Sequence, residues 1–226
     1  MSADGRTVSR RADRDAGASS RTGAFLRGRL DGAAAQRAGR IAARVAPHLP
    51  VGGRVIDIGS GTGHNTEALR AVTASSFVET DVVDMHVVGP APVLCADGAL
   101  PFADNAFEAA LVLHVLQFPA DATVLLREAA RVAPRIIVLQ STVGGPAGHA
   151  ALVVRGFLFG RLAFRTARAV GYVAPTPQAL RVLRVFSRAD VRAAAAAAGL
   201  RVTAFEADRF PVPFGGRDLF VLERAE

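Results

Sequence analysis

The chain has 226 residues, half of them hydrophobic, so it is long enough to fold as one domain with a sizeable core. Its 27 basic residues are all arginine, and residues 1–54 hold 11 of them against four aspartates, so the formal net charge of +7 belongs to the N-terminal quarter. A single cysteine excludes an internal disulfide, and no apolar run reaches the roughly 18 residues that a membrane-spanning helix requires.

Residues 1–22 are rich in serine, glycine, alanine and arginine, which predicts a disordered basic tail. Such a tail can bind nucleic acid or anionic lipid, but Asp13 and Asp15 interrupt its arginines, and it lacks the aromatic residues that stack on bases. We therefore expect no nucleic-acid partner. The first residues also lack the apolar core of a secretory signal, which, with the single Cys95, favours a cytoplasmic protein.

The hydrophobic pattern after the tail alternates between helices and strands. A helix is predicted over residues 24–46, where Pro47 ends it, and another follows the first strand and runs to about residue 72. The predicted strands are 54–58, 77–81, 93–96, 109–113, 136–139, 200–205 and 219–223, and further helices cover 123–132 and 188–198. This alternation predicts a parallel sheet with right-handed crossovers, in a single domain over residues 23–226.

One crossover is unusually short. Only 11 residues, among them Gly89, Pro90 and Pro92, separate the second predicted strand from the third. Because a parallel crossover normally needs a dozen or more residues, we expect a loop here instead of a helix.

The junction between the first strand and the next helix is the most informative segment. Residues 55–58, Val-Ile-Asp-Ile, have the pattern of a buried strand, and Gly-Ser-Gly-Thr-Gly follows at 59–63, called the glycine loop below. Glycines let the backbone approach a ligand closely, and the helix that begins next presents free N–H groups. The segment predicts a nucleotide-type cofactor site that includes Asp57, Gly59, Ser60, Gly61 and Gly63.

The spacing of the glycines disfavours a nicotinamide dinucleotide. The dinucleotide fingerprint is Gly-x-Gly-x-x-Gly, whereas the third glycine here comes one residue early and His64 stands in its place. Asp57 would also repel a pyrophosphate, while a carboxylate suits a cationic ligand. An NAD(P)-dependent oxidoreductase remains the less favoured alternative, beside a non-catalytic cofactor-binding or interaction protein.

The acid and the glycine spacing resemble the first motif of the class I S-adenosylmethionine-dependent methyltransferases. Residues 97–108 are similar to a second segment of that family, Asp-x-x-x-Leu-Pro-Phe-x-Asp-x-x-Phe-Asp, but have one residue fewer between Asp97 and Leu100 and have Glu108 in place of the commoner aspartate. Residues 113–117, Leu-His-Val-Leu-Gln, resemble a third segment in which Gln117 replaces a common histidine. Within that class the chain is most similar to the type 11 methyltransferase domain. The resemblance rests on motifs over roughly residues 40–140 and on the pattern of predicted elements alone over residues 187–223.

The resemblance implies a Rossmann-like three-layer αβα fold, with a mostly parallel seven-stranded sheet whose last strand is antiparallel, and S-adenosylmethionine as cofactor. Asp81, at the end of the second strand, matches the family acid that accepts hydrogen bonds from the ribose hydroxyls, and Glu79 is the alternative. Asp97 is similar to the acid that accepts from the adenine amino group, with the Gly98 N–H beside it. Asp57 is expected to orient the glycine loop and the ammonium end of the cofactor, partly through water.

The fourth strand ends in a candidate for proton transfer. Ligands of open α/β sheets bind beyond the carboxyl ends of the strands, and His114 is the nearest titratable residue to an acceptor held there. It could act as a general base; otherwise it packs against the cofactor or caps the strand. The five histidines show no paired spacing of metal ligands, so no metal site is predicted.

An insertion at about residues 143–186 lies outside the motifs. Arg161, Arg165 and Arg168 share one face of a predicted helix over residues 149–172. A basic amphipathic helix can lie on an anionic membrane, which would suit a lipophilic acceptor; a cover over the acceptor pocket or a dimer helix is the other interpretation. The sequence thus predicts a methyltransferase acting on a small molecule, with the acceptor and the oligomeric state left open.

Overall fold

The fold is known from a computed structural model that describes residues 21–96, 98–144, 150, 185–208 and 215–225. Most of the predicted tail, most of the insertion and Asp97 lie outside these residues.

Four helices and seven strands form the described part of the chain. The helices are α1 (Arg21–Val45), α2 (His64–Val72), α3 (Ala122–Val132) and α4 (Arg188–Ala197), and a short 3-10 turn at Ala46–His48 follows α1. The strands are β1 (Arg54–Ile58), β2 (Ser76–Asp81), β3 (Val93–Leu94), β4 (Ala109–Leu113), β5 (Arg135–Val143), β6 (Leu200–Glu206) and β7 (Gly215–Arg224). β1 and β4 have the predicted bounds, whereas β5 and β7 are longer than predicted because they pair with each other along nine residue pairs.

The strands form one sheet in the order β3-β2-β1-β4-β5-β7-β6. The pairs β1–β2, β1–β4, β2–β3 and β4–β5 are parallel, and β7 is antiparallel to both of its neighbours. This confirms the predicted mostly parallel, seven-stranded sheet with an antiparallel last strand. The chain reverses its winding direction between β1 and β4, which is where an open α/β sheet forms its ligand crevice.

Helices cover both faces of the sheet. Val55 and Ile56 are both fully buried but belong to separate apolar clusters, because successive side chains of a strand point to opposite faces. Ile56 packs in the cluster that contains Leu126 of α3, and Val55 packs in the cluster that contains Leu69 of α2. The result is the predicted three-layer arrangement.

The short crossover between β2 and β3 contains no helix, as the sequence predicts. Its residues, 82–92, fold back against the glycine loop. The Val87 N–H donates to the carbonyl oxygen of Thr62 at 3.0 Å, and the His86 imidazole lies 2.7 Å from the hydroxyl of Ser60. The crossover therefore supports the glycine loop from the side.

Candidate functional site

The glycine loop is fixed by its own backbone. Gly59, Gly61 and Gly63 have φ angles of 75°, 61° and 82°, in the left-handed region that glycine adopts without steric cost. A Cβ at Gly59 would lie 2.7 Å from Val115 Cγ2, and one at Gly63 would lie 2.3 Å from the carbonyl oxygen of Val88. A Cβ at Gly61 would meet nothing within 4 Å. Two of the glycines therefore allow close packing, and Gly61 borders open space.

Asp81 connects the end of β2 to the glycine loop. Its Oδ2 accepts from the Gly61 N–H at 2.8 Å, and its Oδ1 accepts from the N–H groups of Val82 at 2.7 Å and Val83 at 3.3 Å. Burial raises the pKa of Asp81, and the three N–H donors act in the opposite direction. Because a carboxylate offers about four acceptor positions, Asp81 keeps room for a hydroxyl of a ligand.

Asp57 lies beneath the cavity wall. It is 1% exposed, and its Oδ2 accepts from the Thr66 hydroxyl of α2 at 2.6 Å, while its Oδ1 accepts no hydrogen bond from a described residue. The pKa of Asp57 is raised to about 7, chiefly by burial; the carboxylates of Glu79 and Asp81 contribute in the same direction, and the Thr66 hydrogen bond opposes them. A buried carboxylate with an unused oxygen in this position favours a positively charged group near the glycine loop.

A buried polar cluster beside the glycine loop was not predicted from the sequence. Glu79 is 4% exposed; its Oε1 accepts from Arg70 at 2.6 Å, and its Oε2 lies 3.4 Å from the His86 imidazole, which also contacts Ser60. Glu79 is thus engaged with Arg70 and His86 and is not part of the cavity wall. The geometry favours Asp81 over Glu79 as the acid that meets a ligand.

A cavity of about 900 Å³ opens at the carboxyl ends of the strands, within the range of roughly 300–1,000 Å³ that small-molecule sites occupy. One part of its wall, called the β1/β2 half below, is formed by the glycine loop, Asp81, Met85 and Gly98. The other part, called the β4/β5/β7 half, is formed by His114, Gln117, Phe118, Ser141 and Arg217, with Arg37 of α1. The predicted residues Gly59, Ser60, Gly61, Asp81, Gly98 and His114 therefore line one cavity, whereas Gly63 and Asp57 support it.

His114 follows β4 with a positive φ of 62°, and its N–H donates to the Leu139 carbonyl oxygen at 2.7 Å. Its Nδ1 lies 3.5 Å from the Ser141 hydroxyl. Burial lowers the pKa of His114 to about 4, and the positive charges of Arg37, Arg217 and Arg44 contribute to that shift. The imidazole is therefore neutral near pH 7, with a lone pair available for a proton.

The arginines of the β4/β5/β7 half were missed by the sequence analysis. Arg217 enters the wall because β7 pairs with β5 in a register that places it opposite Ser141, and a hydrophobic pattern does not fix that register. Arg37 lies on a helix that precedes β1 and reaches over the cavity only through tertiary packing. Gln117, which replaces a common histidine of the resembled family, lies 3.4 Å from the Gln140 amide.

Neither a metal cluster nor a membrane-spanning helix is found among the described residues. No group of three or more histidine, cysteine, aspartate or glutamate side chains in this part of the chain has the arrangement of a metal site. Within the same residues, no helix has the length and apolar character needed to cross a membrane.

Residues 56–135 match the model of the family described as "Methyltransferase domain". A demethylmenaquinone methyltransferase from Corynebacterium urealyticum is 39% identical over 88 residues, which cover 37% of this chain and 38% of the relative. The chain thus matches well under half the length of that curated relative.

Solved structures share the fold at low identity. The 1,6-didemethyltoxoflavin-N1-methyltransferase of Burkholderia thailandensis, bound to 1,6-didemethyltoxoflavin and S-adenosylhomocysteine, has a TM-score of 0.56 at 15% identity and covers 90% of this chain and 88% of its own. The cyclase SpnF has a TM-score of 0.57 at 16% identity, with 83% of this chain and 81% of its own covered. The family match over residues 56–135 and the shared fold support the resemblance to the class I S-adenosylmethionine-dependent methyltransferases that the sequence motifs indicate.

Proposed function

We propose that this chain binds S-adenosylmethionine along the β1/β2 half of the cavity and transfers its methyl group to a small, lipophilic molecule held in the β4/β5/β7 half. The observation that carries the proposal is the pairing of Asp81, which keeps an acceptor position for a ligand hydroxyl, with Gly61, which leaves open space beside it. The matched methyltransferase-domain family supports the same reaction.

The residues of the β1/β2 half fit this cofactor. Asp81 would accept from a ribose hydroxyl, and the Gly98 N–H would meet the adenine; Asp97, proposed to accept from the adenine amino group, lies outside the described residues. The glycine loop would hold the methionine end, with Asp57 beneath it. Carboxylates at Asp57 and Asp81 favour a ligand that carries positive charge, as a sulfonium and an ammonium do.

When bound, S-adenosylmethionine supplies a methyl group that is already activated by the adjacent positive sulfur. The chain therefore has mainly to hold the acceptor in line, and positioning of this kind is worth about 7–11 kcal/mol in favourable cases. The β4/β5/β7 half would provide that position, because its lining residues come from the cavity ends of β4, β5 and β7.

An acceptor that is mostly apolar suits this half. Leu113 and Phe118 contribute apolar surface to its wall. The partial match to a demethylmenaquinone methyltransferase also supports a lipophilic acceptor. Contact of residues 149–172 with a membrane remains a prediction, because nearly all of that segment lies outside the described residues.

His114 is the residue that we propose to take a proton from the acceptor. Above a pH of about 4 its imidazole is neutral, which is the form that a base requires, and the same low pKa makes it a weak base that suits an acidic acceptor group. The positive charge of Arg37 and Arg217 opposes a lasting imidazolium, so His114 would release the proton to solvent instead of retaining it.

Calorimetric titration with S-adenosylmethionine, S-adenosylhomocysteine and NAD tests the first half of the proposal. We expect the two sulfur compounds to bind and NAD not to bind; the reverse order would favour an oxidoreductase. A panel of hydroxylated aromatic and quinol-type acceptors, followed by mass spectrometry, then tests methyl transfer. Binding of the cofactor without any methylated product would favour the non-catalytic alternative.

A further inference from the structure

The two halves of the cavity differ in charge. Among the described residues of its wall, the only carboxylate is Asp81, and the only arginines are Arg37 and Arg217. Asp81 ends β2, which is the neighbour of β1 on one side. Arg217 belongs to β7, which is the third strand from β1 on the other side. With neighbouring strands about 4.8 Å apart, the start of β7 lies roughly 14 Å from the glycine loop, toward the proposed acceptor.

The start of β7 is held firmly in this place. Arg217 pairs with Ser141 of β5, so the two side chains share one face of the sheet, and the Ser141 hydroxyl lies 3.5 Å from His114 Nδ1. The Arg217 carbonyl oxygen accepts from Arg44 Nη1 at 2.7 Å. The guanidinium of Arg217 therefore extends from a backbone position that is fixed on both sides.

The acid next to Arg217 is turned away from the cavity and is already neutralised. Asp218 is fully buried and accepts from Arg188 through both of its oxygens, at 2.6 and 3.1 Å, and from the Thr142 hydroxyl at 2.5 Å. It is not part of the cavity wall. The hydrogen bonds of Asp218 thus go to Arg188 and Thr142, outside the cavity wall.

We propose that the β4/β5/β7 half binds an acceptor that carries a negatively charged oxygen, a phenolate, an enolate or a carboxylate, which pairs with Arg37 and Arg217. This rests on the proposed function, because it assigns the chemical class of the acceptor at the same site. Charge-assisted hydrogen bonds of guanidinium groups to such oxygens are among the stronger polar contacts in proteins.

The state of His114 supports the same conclusion. Besides burial, the positive charges of Arg37, Arg217 and Arg44 lower the pKa of this imidazole. A field that disfavours a cation at His114 favours an anion beside it, and an opposite charge within about 4–6 Å typically lowers the pKa of an acid by about 1–3 units. An acceptor hydroxyl in this half would therefore lose its proton more readily than in water.

The test uses two probes of equal shape, 2-naphthoate and 2-naphthamide, titrated onto the full chain saturated with S-adenosylhomocysteine. The carboxylate is expected to bind at least about tenfold more tightly than the amide. Arg217→Gln and Arg37→Gln are each expected to reduce that preference by about threefold or more. Arg40→Gln is the matched control, since Arg40 lies on the same helix, one turn after Arg37, but bonds to Gln36 and does not line the cavity.

Several outcomes would overturn the inference. They are equal binding of the two probes, no naphthoate binding at about 1 mM, and an effect of Arg40→Gln as large as that of the other two variants.

The arginines could instead hold the carboxylate of the cofactor. In that case Arg37→Gln and Arg217→Gln would weaken binding of S-adenosylhomocysteine, leave 5′-methylthioadenosine unaffected, and keep the probe preference. Failure of the wild type to bind S-adenosylhomocysteine would contradict the proposed function instead, before any probe is added.

Discussion

The β1/β2 half and the β4/β5/β7 half of the cavity are built in different ways. The first consists mainly of backbone N–H groups, glycines and the Asp81 carboxylate, which come from β1, the glycine loop and β2, segments that are close together in the chain. The second consists of side chains from α1, β4, β5 and β7, which meet only when the whole sheet has formed. A site for a shared cofactor thus depends on local geometry, and a site for a particular acceptor depends on distant elements.

The largest expected effect concerns the buried acid of the β1/β2 half. The pKa of Asp57 is about 7 in the folded chain and 3.8 for an ordinary aspartate, so the folded chain holds a proton between these pH values that the unfolded chain releases. The free energy of unfolding must therefore fall as pH rises from about 4 to about 7, by about 4 kcal/mol for a shift of this size.

Asp57→Asn removes this titration while it keeps the shape of the side chain. Urea unfolding of both proteins should show that the variant gains stability relative to the wild type as pH rises across that window, with a constant difference above it. A difference between the two proteins that does not change with pH would show that Asp57 is ionised in the fold at neutral pH.

The glycine loop offers a matched pair of variants. Gly63→Ala places a Cβ at 2.3 Å from the Val88 carbonyl oxygen, so it should lower the free energy of unfolding by about 2–3 kcal/mol or more. Gly61→Ala meets no atom of the chain and carries only the cost of a positive φ, about 1–2 kcal/mol, but its methyl group projects into the cavity. Gly61→Ala should therefore weaken binding of S-adenosylhomocysteine more than its stability loss suggests. If Gly61→Ala binds S-adenosylhomocysteine as tightly as the wild type does, the ligand does not bind beside Gly61.

The smallest expected effect is in the β4/β5/β7 half. An NMR titration of the His114 imidazole should give a pKa of about 4, because burial and then Arg37, Arg217 and Arg44 oppose its protonation. Arg37→Gln and Arg217→Gln should each raise that pKa by less than about one unit, since burial is the larger cause and remains. Arg40→Gln should leave it unchanged. A wild-type pKa of about 6.5, the ordinary value for histidine, would show that the arginines do not act on His114 in this way.

The same contrast explains what the sequence could predict. The glycine loop and the bounds of β1 and β4 follow from local patterns, because a strand, its turn and the next helix are adjacent in the chain, whereas Asp81 was chosen from the family resemblance. The cluster of Glu79, Arg70 and His86 could not be predicted from local patterns. His86 lies in a loop whose sequence has no periodicity, so its contacts with the other two residues depend on the fold of that loop. Arg217 was missed for a different reason: its place depends on the long-range pairing of β5 with β7.

The most direct test of the central claim, that Asp81 holds the ribose of the cofactor, compares S-adenosylhomocysteine with its 2′-deoxy and 3′-deoxy analogues on the wild type, Asp81→Asn and Glu79→Gln. The wild type and Glu79→Gln should lose about tenfold or more in affinity when the bonded hydroxyl is removed, as expected for one charge-assisted hydrogen bond. Asp81→Asn should bind S-adenosylhomocysteine about 10–100-fold more weakly and distinguish the analogues little. Undiminished affinity in Asp81→Asn, or unchanged discrimination between the analogues, would contradict the account.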